Sequence, residues 1–248
     1  MIKKYAFIFA FLITGLILSD FFIFTSFSVK EKNLEKVTIA KITDGDTLKL
    51  SDGRIIRLLN VNSPEKGMPG SNLSKEFLKT LENKTAEIEI TGIDKYKRNL
   101  ARIYTSEYIN LALVRNGLAS KFLVQESELS EFSKAEESAI KNSLGIWKKS
   151  EFFRCLDAHI DKLKEEVLIK NSCSEVNLLG WMLKDESRKI YYFKNISLGR
   201  ITLHSNHGTD NATDIFWGND GDIWNNDRDS LYLFDSEEGI AQYETYGY

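Results

Sequence analysis

The chain has 248 residues, 42% apolar and 28% charged, a balance that suits one large or two ordinary globular domains and excludes a low-complexity or disordered chain. Its net charge of −3 hides an asymmetry: residues 37–150 carry 18 Lys/Arg against 15 Asp/Glu, and residues 151–248 carry 10 against 18. A polyanion is favoured by the first part and repelled by the second, although an excess of three positive charges does not by itself establish nucleic-acid binding.

Residues 1–29 read as a targeting segment. Lys3 and Lys4 precede fifteen uncharged residues, Tyr5–Ser19, and after Asp20 the run Phe21–Val29 is again apolar. Ser26-Phe27-Ser28 is a small-x-small pattern that allows cleavage before Val29. Left uncut, residues 5–29 are long enough to anchor the chain in a membrane. In either case the rest of the chain is expected outside the membrane, secreted or held on the outer face of the cell. Residues 30–36 form a polar linker to a first domain, 37–150.

That domain opens with short runs rich in β-branched and apolar residues: Val37–Ile42, Thr47–Leu50 and Ile55–Val61, punctuated by Asp44-Gly45 and Asp52-Gly53. Ala86–Ile90 alternates, and Leu100–Tyr104 follows a charged turn. Between and after these strands come three helical patterns. Leu73, Phe77, Leu78 and Leu81 share one face; Tyr108–Asn116 is apolar nearly all round and stops at Gly117; Phe132, Ala135 and Ala139 share another face before Gly145. The expectation is an α+β domain: a five-stranded barrel of the oligonucleotide-binding (OB) type with three helices.

The charged residues lie between these elements. The stretch 43–65 holds two arginines, a group of acids and amides, and Glu65; about thirty residues later comes Asp94-Lys95-Tyr96-Lys97-Arg98. Such a set suits metal-assisted cleavage of a phosphodiester. Hard oxygen ligands hold a cation, arginines neutralise phosphate, and a glutamate takes a proton from water. No histidine precedes His159, so a histidine base in this domain is excluded.

In order along the domain, Asp44-Gly45-Asp46-Thr47, Arg57-Leu58-Leu59, Ser63-Pro64-Glu65, Asp94–Arg98, Ala112–Ala119 and Leu144–Trp147 resemble the thermonuclease, or micrococcal-nuclease-like, family. The resemblance implies an OB barrel that cleaves DNA and RNA with Ca²⁺. It implies Arg57, Glu65 and Arg98 as catalytic residues, the arginines clamping phosphate and Glu65 acting as general base. Asp46, Asn62 and the Ser63 carbonyl are implied as metal ligands, with Asp44 orienting bound water. Lys95 and Tyr96 are implied as substrate contacts. Asn62 stands where the family usually has a second calcium aspartate, so weaker cation binding is expected. Phe122 replaces a region where the family stacks a base on tyrosine, and is read as either a stacking or a core residue.

After Lys148–Arg154, a linker by composition, residues 151–248 read as a second domain. Apolar runs at Glu166–Lys170, Val176–Leu183, Lys189–Phe193, Gly199–His204, Thr213–Trp217 and Leu231–Phe234 recur at a spacing that predicts an all-β sandwich. Glu166–Asn171, Leu179–Asp185 and Trp224–Asp229 resemble a lamin-tail domain, which implies an immunoglobulin-like sandwich with an interaction or tethering role and an unknown partner. Trp181, Trp217 and Trp224 are read as packing residues, and Gly218–Asp222 as turns rather than a calcium loop. Cys155 and Cys173 pair in an oxidising compartment; zinc through Cys155 and His159, or two free thiols, are the alternatives.

The functional expectation is an exported Ca²⁺-dependent nuclease acting on DNA and RNA. The rival is a non-catalytic nucleic-acid-binding barrel joined to a surface-adhesion module.

Overall fold

Along Glu35–Ile42 (β1) the side chains of Val37, Ile39 and Ile42 turn inward while most of the others face water, the pattern of a barrel stave. A computed structural model describes residues 33–247 apart from Ser174 and Arg188, so the targeting segment 1–29 lies outside the described residues. Among the described residues no helix is long and apolar enough to cross a membrane.

β1 pairs with β2 (Thr47–Leu50), and β2 with β3 (Ile55–Leu58). β3 runs parallel to β6 (Asn99–Tyr104); β6 pairs with β5 (Thr85–Ile93), which closes onto β1. This is the expected closed five-stranded barrel. Three helices accompany it: α1 (Ser71–Lys79), α2 (Ile109–Arg115) and α3 (Glu126–Lys141). Ile39, Leu48, Ile56, Ile88, Ile103 and Phe132 are among the fully buried members of its core.

Two local expectations fail for physical reasons. The run Ile55–Val61 is not one strand: β3 ends at Leu58, and Val61–Asn62 (β4) pairs separately with Ser120–Lys121 (β7). Between them Asn60 has φ 66°, a left-handed conformation that asparagine tolerates better than most residues. Leu73 is 48% exposed rather than part of the apolar face of α1. Its place is taken by Ser74, whose hydroxyl donates to the Leu118 carbonyl, and by Leu78.

The C-terminal part is mostly strand and forms two four-stranded sheets around a shared core. One has the order β11 (Ile190–Tyr192), β10 (Met182–Lys184), β14 (Asp229–Phe234), β15 (Ile240–Tyr246). The other has β13 (Asp214–Phe216), β12 (Arg200–His204), β9 (Glu166–Asn171), β8 (Leu156–Asp161). β8 and β15 went unpredicted because His159, Asp161, Gln242 and Glu244 make them read as polar. Of Val176–Leu183 only the end is strand, yet Leu178 and Trp181 are buried. Trp224 is also buried, and Trp217 is partly buried against the same core. A Cys155–Cys173 disulfide, S–S 2.10 Å, joins the start of β8 to the end of β9.

Lys148–Arg154 is not a free linker. The Ile240 N–H donates to the Lys148 carbonyl, and the Ser150 N–H to the Ile240 carbonyl. Beside it a third apolar cluster joins Ala139, Ile140 and Trp147 of the barrel side to Met182, Tyr232, Phe234 and Ile240 of the sheets. Barrel and sheets therefore share a packed seam.

Glu128 of α3 fastens the helices to the site loop. Its Oε2 accepts from Asn60 Nδ2 at 2.8 Å and from Arg102 Nε and Nη2 at 3.0 and 2.6 Å; its Oε1 accepts from Tyr108 OH at 3.1 Å. Burial pushes the Glu128 carboxyl up, but the bonds from Arg102, Asn60 and Tyr108 outweigh it and hold it below its ordinary value. Its contribution is complete above the ordinary carboxylate range and is lost as pH falls through the lowered folded value. Glu128→Gln is expected to cost about 3 kcal/mol at neutral pH in denaturant unfolding, because Arg102 stays buried without its main partner. In acid the wild type should lose this advantage, so the two stability curves should converge.

Candidate active site

The site begins with an arginine in an apolar strand. Arg57 on β3 is opposite Thr47 on β2 and only 8% exposed, so its guanidinium must be satisfied internally. Nη1 donates to the carbonyls of Leu58 and Val61 at 2.5 and 2.8 Å, and Nη2 lies 3.2 Å from Asp46 Oδ2. The same Asp46 oxygen accepts from the Ser63 N–H at 3.2 Å, and its Oδ1 accepts from the Thr47 hydroxyl at 2.9 Å. Thr47 Oγ1 in turn accepts from Arg98 Nη1 at 3.2 Å. A single polar chain thus links Arg57, Asp46, Thr47 and Arg98.

Arg98 is held from its other side by Asp94, whose Oδ2 accepts from Nε at 2.8 Å. Burial raises the Asp94 carboxyl, but the N–H groups of Arg98 and Tyr96 and the Arg98 side chain outweigh it, and the net shift is downward. The Arg98 guanidinium lies over the Tyr96 ring, 5.3 Å from its centroid, and Lys95 Nζ lies 5.1 Å from it. The 61% exposed Tyr96 offers its ring to solvent and to ligands.

The approach of chain segments is close at Gly45. A Cβ there would meet Ser74 Cβ at 2.5 Å and Ser63 Oγ at 2.7 Å, so the turn carrying Asp44 and Asp46 requires glycine. The half-buried Asp44 carboxylate accepts from the Gly45 N–H at 2.8 Å and shapes that turn.

A groove of about 500 Å³ opens above this chain. Arg57, Asn62, Lys95, Tyr96, Arg98 and Phe122 are among its lining residues, so Phe122 faces the groove rather than the core. Asp46 and Ser63 lie below Arg57, bonded as described. Glu65 does not line this groove; it follows Pro64, which lines a neighbouring cavity together with Asn62 and Lys184. The Glu65 and Lys184 charges interact. Burial pushes the Lys184 ammonium down, while Asp185, Glu65 and Glu186 oppose that shift.

Among the described residues no three His, Cys, Asp or Glu side chains come together as a metal cluster. Of the residues expected to hold a cation, Asp46 accepts from the Ser63 N–H, and Asn62 ends β4 immediately before Ser63; together they carry a carboxylate, an amide oxygen and a carbonyl. Their chemistry fits a hard cation, with one formal negative charge to hold it.

Residues 55–149 match the staphylococcal nuclease homologue family. The chain is 33% identical over 142 residues to an uncharacterized endonuclease of Haemophilus influenzae, spanning 55% of this chain and 77% of that protein. The chain belongs to the staphylococcal nuclease homologue family. It is also 30% identical over 143 residues to endonuclease YncB of Bacillus subtilis, covering 51% of this chain and 68% of that one. Over 97 residues it is 30% identical to the staphylococcal-like nuclease CAN1 of Arabidopsis thaliana, 38% of this chain and 30% of the plant protein. The family relation supports a nuclease that hydrolyses nucleic acid.

Several supporting residues were not singled out from sequence. Thr47 bridges Asp46 and Arg98. Asn110 holds the site loop, donating to the Leu59 carbonyl at 2.8 Å and accepting from the Ile103 N–H at 3.0 Å. From the C-terminal sheets, Lys184 lines the same cavity as Pro64, and Ser187 lines the groove. Thr47 sits within the motif Asp44–Thr47 and was findable; the others are distant in sequence and leave no local signal.

A lysine at 57 has a point charge on a flexible stem and cannot serve Leu58, Val61 and Asp46 together. Arg57→Lys is therefore expected to lose about 2–3 kcal/mol in denaturant unfolding, from backbone carbonyls and a carboxylate left short of donors. An unchanged midpoint would remove Arg57 from its place as organiser of this loop.

Proposed function

We propose that the protein is an exported, Ca²⁺-dependent endonuclease that hydrolyses phosphodiester bonds of DNA and RNA. The observation that carries this reading is the polar chain from Arg57 through Asp46 and Thr47 to Arg98 at the floor of the groove. A phosphate in that groove meets two guanidinium groups whose positive charge offsets charge gained in the transition state. Lys95 adds a third positive charge and Tyr96 a ring on which a base can stack.

Asp46, the Asn62 oxygen and the Ser63 carbonyl would hold Ca²⁺, which supplies positive charge next to the phosphate. Asp44, in the same turn as Asp46, would orient water. Glu65 accepts the proton of the attacking water, a role for which the domain offers no histidine. With one carboxylate ligand the cation binds weakly, and the working Ca²⁺ concentration is correspondingly high.

Export is supported by the basic start, the apolar run 5–29 and the Cys155–Cys173 disulfide. The two C-terminal sheets are assigned as an immunoglobulin-like sandwich of the lamin-tail type, with an interaction or tethering role. The non-catalytic binding barrel is favoured by one observation, the single carboxylate at the cation position.

The decisive experiment is cleavage of single- and double-stranded DNA and of RNA by the purified full chain, with Ca²⁺ titrated against EGTA. Cutting should require Ca²⁺, fall about a thousandfold in Glu65→Gln and about a hundredfold in Arg98→Ala. DNA binding without cutting at any Ca²⁺ level would establish the binding barrel instead. Fractionation of cells expressing the full chain checks export: protein confined to the cytosol would overturn it.

A further inference from the structure

Asn62 makes a contact that its pairing in β4 does not require. Its Nδ2 donates to the backbone carbonyl of Glu186 at 2.9 Å, across 124 residues of sequence. A carbonyl only accepts, so the NH₂ end of the amide must face Glu186 and the oxygen end must face away from it. The backbone of Asn62 is fixed separately: β4 pairs with β7, and the Ser120 hydroxyl donates to the Asn62 carbonyl at 3.2 Å.

The Glu186 carbonyl is itself held firmly. The Glu186 N–H donates to Asp229 Oδ1 at 3.2 Å, and the Ser230 hydroxyl donates to Glu186 Oε2 at 3.3 Å. Asp229 is fully buried, and its other oxygen accepts two bonds from Asn225. Asp185 accepts from the Ser187 hydroxyl and from the Lys189 N–H, closing the turn after β10. The packed seam of Trp147, Met182, Tyr232 and Phe234 keeps this turn against the barrel. Ser187, one residue on, lines the groove itself.

We propose that the turn Asp185–Ser187 of the C-terminal sheets is a working wall of the active site. It positions Asn62 so that its amide oxygen serves the cation, and it makes asparagine rather than aspartate the competent residue at 62. This rests on the nuclease reading above. An aspartate at 62 would set a carboxylate oxygen against the Glu186 carbonyl with no proton between them. The added charge would then repel the wall instead of strengthening the site. Glu186 and Asp229 act through Asn62 and are positioning residues.

The test uses the full chain, with Ca²⁺ as the probe and two readouts: the Ca²⁺ midpoint for DNA cleavage, and the rise in Tm that Ca²⁺ produces without substrate. Asn62→Asp is expected to raise the Ca²⁺ midpoint about tenfold and shrink the Tm rise, the size of one lost hydrogen bond. Asp229→Ala, which frees the wall without touching the barrel, should raise the midpoint in the same direction. In Asp229→Ala, which lies outside the groove, kcat at saturating Ca²⁺ should recover to within a few-fold of wild type, a pattern that general unfolding would not give. An Asn62→Asp protein that binds Ca²⁺ more tightly, in an enzyme that still cuts, overturns the wall and leaves the nuclease reading intact. A wild type that neither cuts nor gains Tm with Ca²⁺ overturns both.

Discussion

The buried ion pair between Arg57 and Asp46 sets the terms for the rest of the site. A guanidinium with 8% exposure has left water and must find acceptors nearby. Among those it finds are two backbone carbonyls, Leu58 and Val61, that belong to its own loop. The chain must therefore curl around the side chain between them. Asn60 supplies the left-handed residue for that curl, and Asn110 and Glu128 clasp it from two helices. Such a pair is a poor device for stability, since desolvation consumes most of what attraction returns. Its value is geometric: it brings Asp46, Ser63 and the Thr47 hydroxyl to one place and carries the connection on to Arg98.

The second constraint is the seam. Trp147, at the end of the barrel part, and Phe234 and Ile240, in the sheets, bury one another, and the intervening segment is hydrogen-bonded to β15. A flexible tether would leave the C-terminal part free to move relative to the groove. Here the apolar contact and the Lys148–Ile240 bonds fix its bearing, which is why a turn from the sheets can line the groove at all. The acidic excess of this part does not exclude it from the site, because Asp185 and Asp229 are turned inward and satisfied by backbone and side-chain donors.

Much of this was legible in the sequence, and the limits have physical causes. The staves of the barrel announce themselves because one face is apolar and the other wet, a period of two that survives in a single chain. Arg57 stood out as a charge after two isoleucines. The break at Asn60 was hidden because Ile55–Val61 is apolar throughout except at Arg57 and Asn60, and nothing in composition says that a strand must end where an arginine needs carbonyls. β8 and β15 were hidden for the opposite reason: they alternate, but with His159 and Glu244, which bond each other at 2.8 Å on the sheet surface. The approach of Glu186 to Asn62 leaves no local trace, since it depends on how two cores dock rather than on any periodicity.

The charge balance at the groove ties these threads together. Arg57 and Arg98 each answer one buried or half-buried carboxylate, Asp46 and Asp94, so the two pairs are near neutral before any ligand arrives. Lys95 then tips the groove toward positive. On the proposed reading, phosphate is drawn in by protein charge, and a cation held by a single carboxylate gains most of its hold when that phosphate is present. An amide at 62 suits such a division of labour. It offers an oxygen to the cation and a proton to the wall, whereas a carboxylate could serve only the first and would stand unprotonated against the Glu186 carbonyl.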